Sequence, residues 1–366
     1  PANSSEWGVL KTTSVDWSGF NSSFNKKLPL ELTPRKEIEV KPLDILVTRA
    51  GPTERVGVVS VVPHSVRSKL MISDKLIRLK SNEENNPLFL GISLSSVKCQ
   101  NQLQSKTSGL AKSQTNISQK ILGEVLLKLP SKEEQTKIAS FLSAVDEKIS
   151  QLTKKHELLS QYKQGMMQKL FSQQLRFKAD DGSEFREWEE KELKDIAEIN
   201  PKSKKLPESF IYIDLESVEK GQLLLQKNIE LQDAPSRAQR LLAKGDVLFQ
   251  MVRPYQQNNY YFNLSGEYVA STGYAQIRTK LDSKFIYYAL HEKTFLDEVM
   301  NRCTGTSYPA INSSDLSSIE ILIPCLEEQT KIANFLSSID QKIEVVAQQI
   351  EQAKQWKKGL LQQMFV

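Results

Sequence analysis

The densest run of side chains able to hydrogen-bond a patterned polar surface is Arg253-Pro254-Tyr255-Gln256-Gln257-Asn258-Asn259-Tyr260. In a DNA groove, Arg and Lys reach guanine edges, Asn and Gln reach adenine, and Ser and Thr serve either. The apolar run 247–252 before the cluster reads as a strand, so the cluster is expected in a loop, and loops on rigid scaffolds commonly carry recognition. Thr304, Thr306, Ser307 and Tyr308 form a second polar loop around Gly305. The corresponding stretches earlier in the chain are 49–55 and 105–114, which offer Arg49, Thr53, Arg55, Lys106, Lys112 and Gln114. Lys202, Lys204 and Lys205 suit phosphates, contacts that position a duplex without specifying its sequence. Taken singly, each of these residues reads equally well as ordinary solvated surface.

Signs of catalysis are missing. Asn258-Asn259-Tyr260-Tyr261 has the outline of the Asn-Pro-Pro-Tyr motif of amino-methyltransferases, but it lacks both prolines and follows no glycine-rich cofactor loop. It is read as a DNA-contacting or plain loop. There is no P-loop pattern for ATP. His64, His156 and His291 lie far apart and near no cysteine, while Cys99, Cys303 and Cys325 are scattered and odd in number. That gives neither a disulfide framework nor a zinc pattern, so a reducing cytoplasm is the expected compartment. No catalytic residue, metal or cofactor is expected on this chain.

The elements that must position these loops are written twice. Residues 129–172 and 323–366 align at an offset of 194 with no gap and 20 identities in 44 positions, among them Glu-Glu-Gln-Thr-Lys-Ile-Ala at 133–139 and 327–333. The first copy carries Ile138, Leu142, Val145, Ile149, Leu152, His156, Leu159, Lys163, Met166 and Leu170 at alternating steps of four and three. The second carries Ile332, Leu336, Ile339, Ile343, Val346, Ile350, Ala353, Lys357, Leu360 and Met364. That rhythm predicts two long helices joined along a coiled-coil seam, each about 60 Å long at about 1.5 Å per residue. Pro130 and Pro324 suit the helix starts, and the paired glutamates after them suit the positive end of the helix dipole. Lys163 and Lys357 occupy equivalent seam positions, either as register markers or where the seam widens toward a partner. Tyr162, Met166, Met167, Trp356, Leu360 and Leu361 exceed what two helices bury between them and are candidates for a partner interface, or for packing on the chain's own domains.

The segments before the helices repeat more faintly. Lys41-Pro42-Leu43-Asp44-Ile45-Leu46 matches Lys244-Gly245-Asp246-Val247-Leu248, and Ile77-Arg78-Leu79-Lys80 matches Ile277-Arg278-Thr279-Lys280. Runs at 56–62, 76–79 and 269–277 read as strands, with a short helix over 285–301. The expected fold is α+β: two strand-rich domains, each followed by a long helix, the helices pairing antiparallel with pseudo-two-fold symmetry. The boundaries expected are 1–128, 129–172, 173–322 (linker plus domain) and 323–366. The second module exceeds the first by 22 residues at its start, where Trp188-Glu189-Glu190-Lys191-Glu192-Leu193 has no counterpart. A segment of about 20 residues is therefore expected ahead of Pro1 in the natural chain.

Composition agrees with a soluble globular chain, at 39% hydrophobic and 25% charged residues. No apolar run nears the roughly 20 residues that span a bilayer. The net charge of +5 is uneven: residues 1–128 carry 18 Lys/Arg against 11 Asp/Glu, while 199–322 balance at 14 and 14. A basic first block suits a polyanionic partner.

In their doubled order, these motifs resemble the specificity subunits of Type I restriction–modification systems. The resemblance covers the whole chain. It rests on the twin Glu-Glu-Gln-Thr-Lys-Ile-Ala helices, the segment 244–248, Ser271-Thr272-Gly273-Tyr274, the run from Gly305 through Ile311 and Leu316 to Pro324, and the linker at 188–193. It implies two target-recognition domains reading the two halves of a bipartite, asymmetric double-stranded DNA site. It also implies an antiparallel helix pair between them, two modification subunits carrying S-adenosylmethionine chemistry and two ATP-driven restriction subunits. The chain itself would be non-catalytic. The rival reading is a coiled-coil adaptor with two protein-binding domains; DNA discrimination separates the two.

Overall fold

The computed structural model describes residues 1–107, 115–203 and 205–365. It divides into two compact units, Pro1–Lys154 with Ala347–Val366, and Lys155–Val346. The α+β class holds, and so does the strand-rich domain followed by a long helix, twice over.

In the first unit, β1 (Gly8–Leu10) lies between β2 (Asn25–Lys27) and β5 (Leu70–Met71), antiparallel to β2 and parallel to β5. A second sheet places β3 (Ile45–Thr48) between β4 (Val59–Val61) and β6 (Leu76–Leu79), all antiparallel. β3 is buried along its length; a strand covered on both faces reads as the continuous apolar run seen here rather than as an alternation. Two short helices follow, α1 (Pro87–Leu94) and α2 (Val97–Gln104). Then comes the long α3 (Lys132–Phe171).

The second unit carries the same plan with additions. β7 (Glu189–Glu192) and β8 (Ala197–Ile199) open it. β9 (Ser209–Ile213) lies between β10 (Lys227–Glu230) and β14 (Tyr268–Ser271), with β11 (Ala238–Leu241) outside β14; β9 and β14 are parallel, as β1 and β5 are. The other sheet runs β8, β15 (Tyr274–Thr279), β12 (Val247–Gln250), β13 (Tyr260–Tyr261). α4 (Ser283–Ala289) and α5 (Lys293–Asn301) follow, then β16 (Glu320–Ile323), paired with β7, and the long α6 (Leu326–Met364).

Two expectations need correction. The single strand expected over 269–277 is β14 and β15, separated at Thr272-Gly273. The single helix over 285–301 is α4 and α5, broken where Glu292 turns to accept hydrogen bonds from Thr294 N and Phe295 N. A side chain that satisfies the free N–H groups starts a new helix rather than continuing an old one.

The long helices run antiparallel, which is visible inside each unit. In the first, the early part of α3 meets the end of α6: Lys357 Nζ lies 2.5 Å from Asp146 Oδ1, and Trp356 meets Phe141 edge-on at 5.7 Å. In the second, the end of α3 meets the early part of α6, with Lys163 Nζ 2.6 Å from Asp340 Oδ1. All ten seam residues of α3 are buried or half-buried. Equivalent residues make equivalent ion pairs, because 163 and 357, like 146 and 340, are 194 apart. The helix ends dock in the same way: Phe365 packs on Phe89 of α1 at 5.5 Å, and Phe171 on Phe285 of α4 at 5.6 Å. Gln135 Oε1 accepts from Asn86 N, and Gln329 Oε1 from Asp282 N. Asn86 and Asp282 are the N-caps of α1 and α4. The repeated Glu-Glu-Gln thus clamps each long helix to the first short helix of its domain.

Candidate nucleic-acid interface

In each domain the middle strand of one sheet ends in a buried polar residue that braces the loop beyond it. In the second domain this residue is Gln250. Its Nε2 donates to Val252 O at 2.8 Å and Gln256 Oε1 at 2.9 Å, its Oε1 accepts from Asn258 N at 3.1 Å, and its own N–H donates to Asn259 Oδ1 at 2.8 Å. Every polar atom of the side chain is used on the loop. The loop needs the support: Arg253 and Gln257 both adopt left-handed backbone, at φ 54 and 52, a region that L-residues enter at a cost. Asn259 Nδ2 lies 3.4 Å from His291 Nε2, whose Nδ1–H donates to Tyr287 O at 2.7 Å. Burial lowers the His291 pKa, which keeps the ring neutral and its Nε2 free to accept. In the first domain the equivalent residue is Thr48, whose hydroxyl donates to Arg55 O and accepts from Val58 N at 2.9 Å.

The two polar loops of the second domain are brought together. Arg253 N donates to Pro309 O at 2.7 Å, Val252 bridges to Ala310, and the Arg253 guanidinium stacks on the Tyr308 ring at 4.3 Å. Tyr255 and Tyr308 are exposed, as are Thr304, Thr306 and Ser307. The result is a surface of a stacked Arg–Tyr pair, amides and hydroxyls on a fixed backbone, suited to groove edges. In the first domain a short pair, Ala50–Gly51 with Thr115–Asn116, joins the corresponding segments, and Thr53 Oγ1 meets Thr115 Oγ1 at 2.7 Å.

Not every expected contact points outward. Asn259 and Tyr260 are buried and serve the loop from inside. Gln256 is exposed but has its Oε1 tied to Gln250. Asn258 Oδ1 accepts from Lys220 N. Arg55 turns back to Asp16 at 2.6 Å and to the carbonyls of Thr12 and Val15, and that pairing holds the Asp16 carboxyl down to about 2. Lys106 pairs with Glu124 at 3.0 Å. Arg49 is exposed. Lys202 and Lys205 are exposed on either side of Ser203, whose hydroxyl ties the segment to Gln239 O and Leu241 N of β11. Lys112, Gln114 and Lys204 lie outside the described residues.

Sequence reasoning overlooked Gln250 and Arg240. Arg240, between Gln239 and Leu241, has its Nε buried with no hydrogen-bond partner among the described residues, and burial lowers its pKa. A half-buried guanidinium whose Nε lacks a partner, on the strand that Ser203 ties to the segment of Lys202 and Lys205, fits a phosphate. Nothing in a strand sequence signals that. The candidate partner residues are divided. Tyr162 and Trp356 are exposed, whereas Met166, Met167, Leu360 and Leu361 are half-buried, Met167 against the core of the second domain.

Among the described residues no group of three or more His, Cys, Asp or Glu could hold a metal ion, and no helix is long and apolar enough to cross a membrane. The family of the Type I restriction modification DNA specificity domain matches residues 18–160 and 186–355, well over half of the chain. The chain belongs to this family. Each match takes in one domain and most of the long helix after it. Among specificity subunits, that of Type I restriction enzyme EcoEI from Escherichia coli is 42% identical over 139 residues, 38% of this chain and 23% of that protein. That of MjaVIII from Methanocaldococcus jannaschii is 27% identical over 345 residues, covering 89% of this chain and 79% of the relative. The crystal structure of the Type I restriction–modification S subunit from M. genitalium superposes with a TM-score of 0.60 at 18% identity, over 99% of this chain and 93% of that one. This last likeness is one of fold.

Proposed function

We propose that this chain selects the DNA sequence for a Type I restriction–modification complex and carries out none of its chemistry. Each domain reads one half of a bipartite double-stranded site through the loops beyond Thr48 and Gln250. Because the two domains differ in sequence, the site need not be a palindrome. The helix pair sets the gap between the half-sites: one added heptad lengthens it by about 10 Å, or about three base pairs at about 3.4 Å each. Two modification subunits dock along the helices and bring S-adenosylmethionine, restriction subunits bring ATP, and the assembly works in the cytoplasm.

The observation that carries this reading is the duplication itself. A braced, preorganised polar loop cluster occurs once per domain, and the helices joining the domains run antiparallel. Two half-sites on a duplex call for two readers facing opposite ways along it. Preorganisation matters because a loop already held in its bound shape loses little entropy on binding.

The test is an exchange. Residues 199–322 are replaced by the corresponding domain of a relative, the chain is assembled with its modification subunits, and methylated bases are mapped in genomic DNA. One half of the methylated motif is expected to change while the other half and the gap stay constant. A motif altered in both halves, or in neither, overturns the proposal, and an assembly without sequence preference points to the adaptor reading.

A further inference from the structure

Each domain carries a small hairpin beside its braced loop, and the two hairpins match position for position. In the first domain Val15–Asp16 pairs with Gly19–Phe20, which leaves Trp17-Ser18 at the tip. In the second, Val218–Glu219 pairs with Gln222–Leu223, which leaves Lys220-Gly221. Ser14 and Val15 are buried, and so are their counterparts Ser217 and Val218. Trp17 therefore stands where Lys220 stands.

Both hairpins are tied to the loop of their own domain. Lys220 N donates to Asn258 Oδ1 at 3.0 Å. In the first domain Asp16 divides its carboxylate between hairpin and loop. Its Oδ2 accepts from Arg55 Nη1 at 2.6 Å, while Oδ1 accepts from Ser18 N at 3.1 Å and Ser18 Oγ at 2.8 Å. Arg55 Nη2 also donates to Val15 O at 2.7 Å. Ser60 Oγ of β4 accepts from Asp16 N and donates to Asp16 O. Arg55 turns away from solvent, and by doing so it locks the hairpin tip to the loop beyond Thr48.

What the tip presents is an indole. Trp17 is 51% exposed, and among the described residues its ring makes no aromatic contact and no hydrogen bond. The exposure belongs to the position, since the Lys220 side chain is 87% exposed at the tip of the second domain. A groove can use both parts of an indole: the flat apolar face suits a thymine methyl, and Nε1–H suits an acceptor on a base edge. We propose that Trp17 reads a base of the half-site assigned to the first domain, from a hairpin that acts with the loop beyond Thr48 as one rigid reader. The inference rests on the DNA reading above and names a specificity-determining residue within it. Duplex DNA is the occupant because the tip is continuous, through Asp16 and Arg55, with the loop placed at the DNA.

The test uses the full chain assembled with its modification subunits. The exchange of residues 199–322 first shows which half of the motif belongs to the first domain, namely the half that stays constant. Trp17→Ala is then expected to make one specified position in that half degenerate. It should also lower affinity for the parent duplex about tenfold or more, as one wrong base pair does. Its salt dependence should match that of the wild type, because an indole neutralises no phosphate. Trp17→Lys copies the residue that the matching tip already carries and keeps the hairpin folded; it should make the same position degenerate. An unchanged motif, a change in the other half, an equal loss at every position, or failure to assemble with the modification subunits overturns the proposal. A wild-type complex without any preferred motif sinks the DNA reading itself, and this inference with it.

Discussion

Gln250 and Tyr308 separate shape from contact at the candidate interface. Gln250→Ala leaves Asn258 N–H and Gln256 Oε1 without their partner; with Asn258 half-buried and Gln256 exposed, it is expected to cost about 1 kcal/mol, the net worth of a typical hydrogen bond. Chemical denaturation measures it. Tyr308→Ala removes an exposed ring and should leave the denaturation midpoint unchanged, while DNA binding by the assembled complex weakens. His291 supplies a pH signature. Its folded pKa is depressed, so in the acidic range the unfolded chain binds the extra proton. Stability from this group is full above the ordinary value of 6.5 and declines as pH falls below it. Denaturation midpoints should drop on acidification, with a shallower slope in His291→Gln. Asp246 offers a comparison between the halves. It is buried and takes two hydrogen bonds from Arg278, each at 2.8 Å, whereas Asp44 keeps only a 3.6 Å contact with Arg78. Arg278 is partly exposed, so its charge stays solvated when the carboxylate is removed; Asp246→Ala should destabilise by about 1–3 kcal/mol, and Asp44→Ala by less.

At the scale of elements, the long helices were legible because a heptad pattern is a property of the sequence itself. So was the doubling of the domains, since Asp44 with Arg78 and Asp246 with Arg278 preserve their spacing closely. What could not be read was which polar residues of a loop face inward. Asn258, Asn259 and Tyr260 look alike on paper, yet Asn259 is claimed by the main chain of Gln250 and Tyr260 by the core. The stacking of Arg253 on Tyr308 joins residues far apart in sequence and has no local signal. Lys163 and Lys357 could be flagged as odd seam residues, but their partners, Asp340 and Asp146, emerged only from the pairing register of the helices. Both lysines are partly exposed, so each pair contributes little to stability, about 0–1 kcal/mol. Their effect should lie in register. Lys163→Asp alone is expected to loosen the local helix pair, and adding Asp340→Lys to restore it. Crosslinking between cysteines placed at 166 and 336 reports the alignment in each variant. Tyr288 supports the pair by donating its hydroxyl to Asp340 at 2.7 Å, and burial together with that carboxylate keeps the phenol protonated.

For the whole molecule, the exchange of residues 199–322 is the decisive experiment, because it asks whether two differing readers on one frame act independently. A related feature has consequences for synthesis. The turn at Phe365 finishes the aromatic packing of α1, 276 residues earlier in the sequence. A nascent first domain therefore stays incomplete until position 365 has left the ribosome, and contacts so distant in sequence form slowly. A stop codon just ahead of position 365 should accordingly loosen the first domain, so that a lesion and its phenotype lie far apart along the coding sequence.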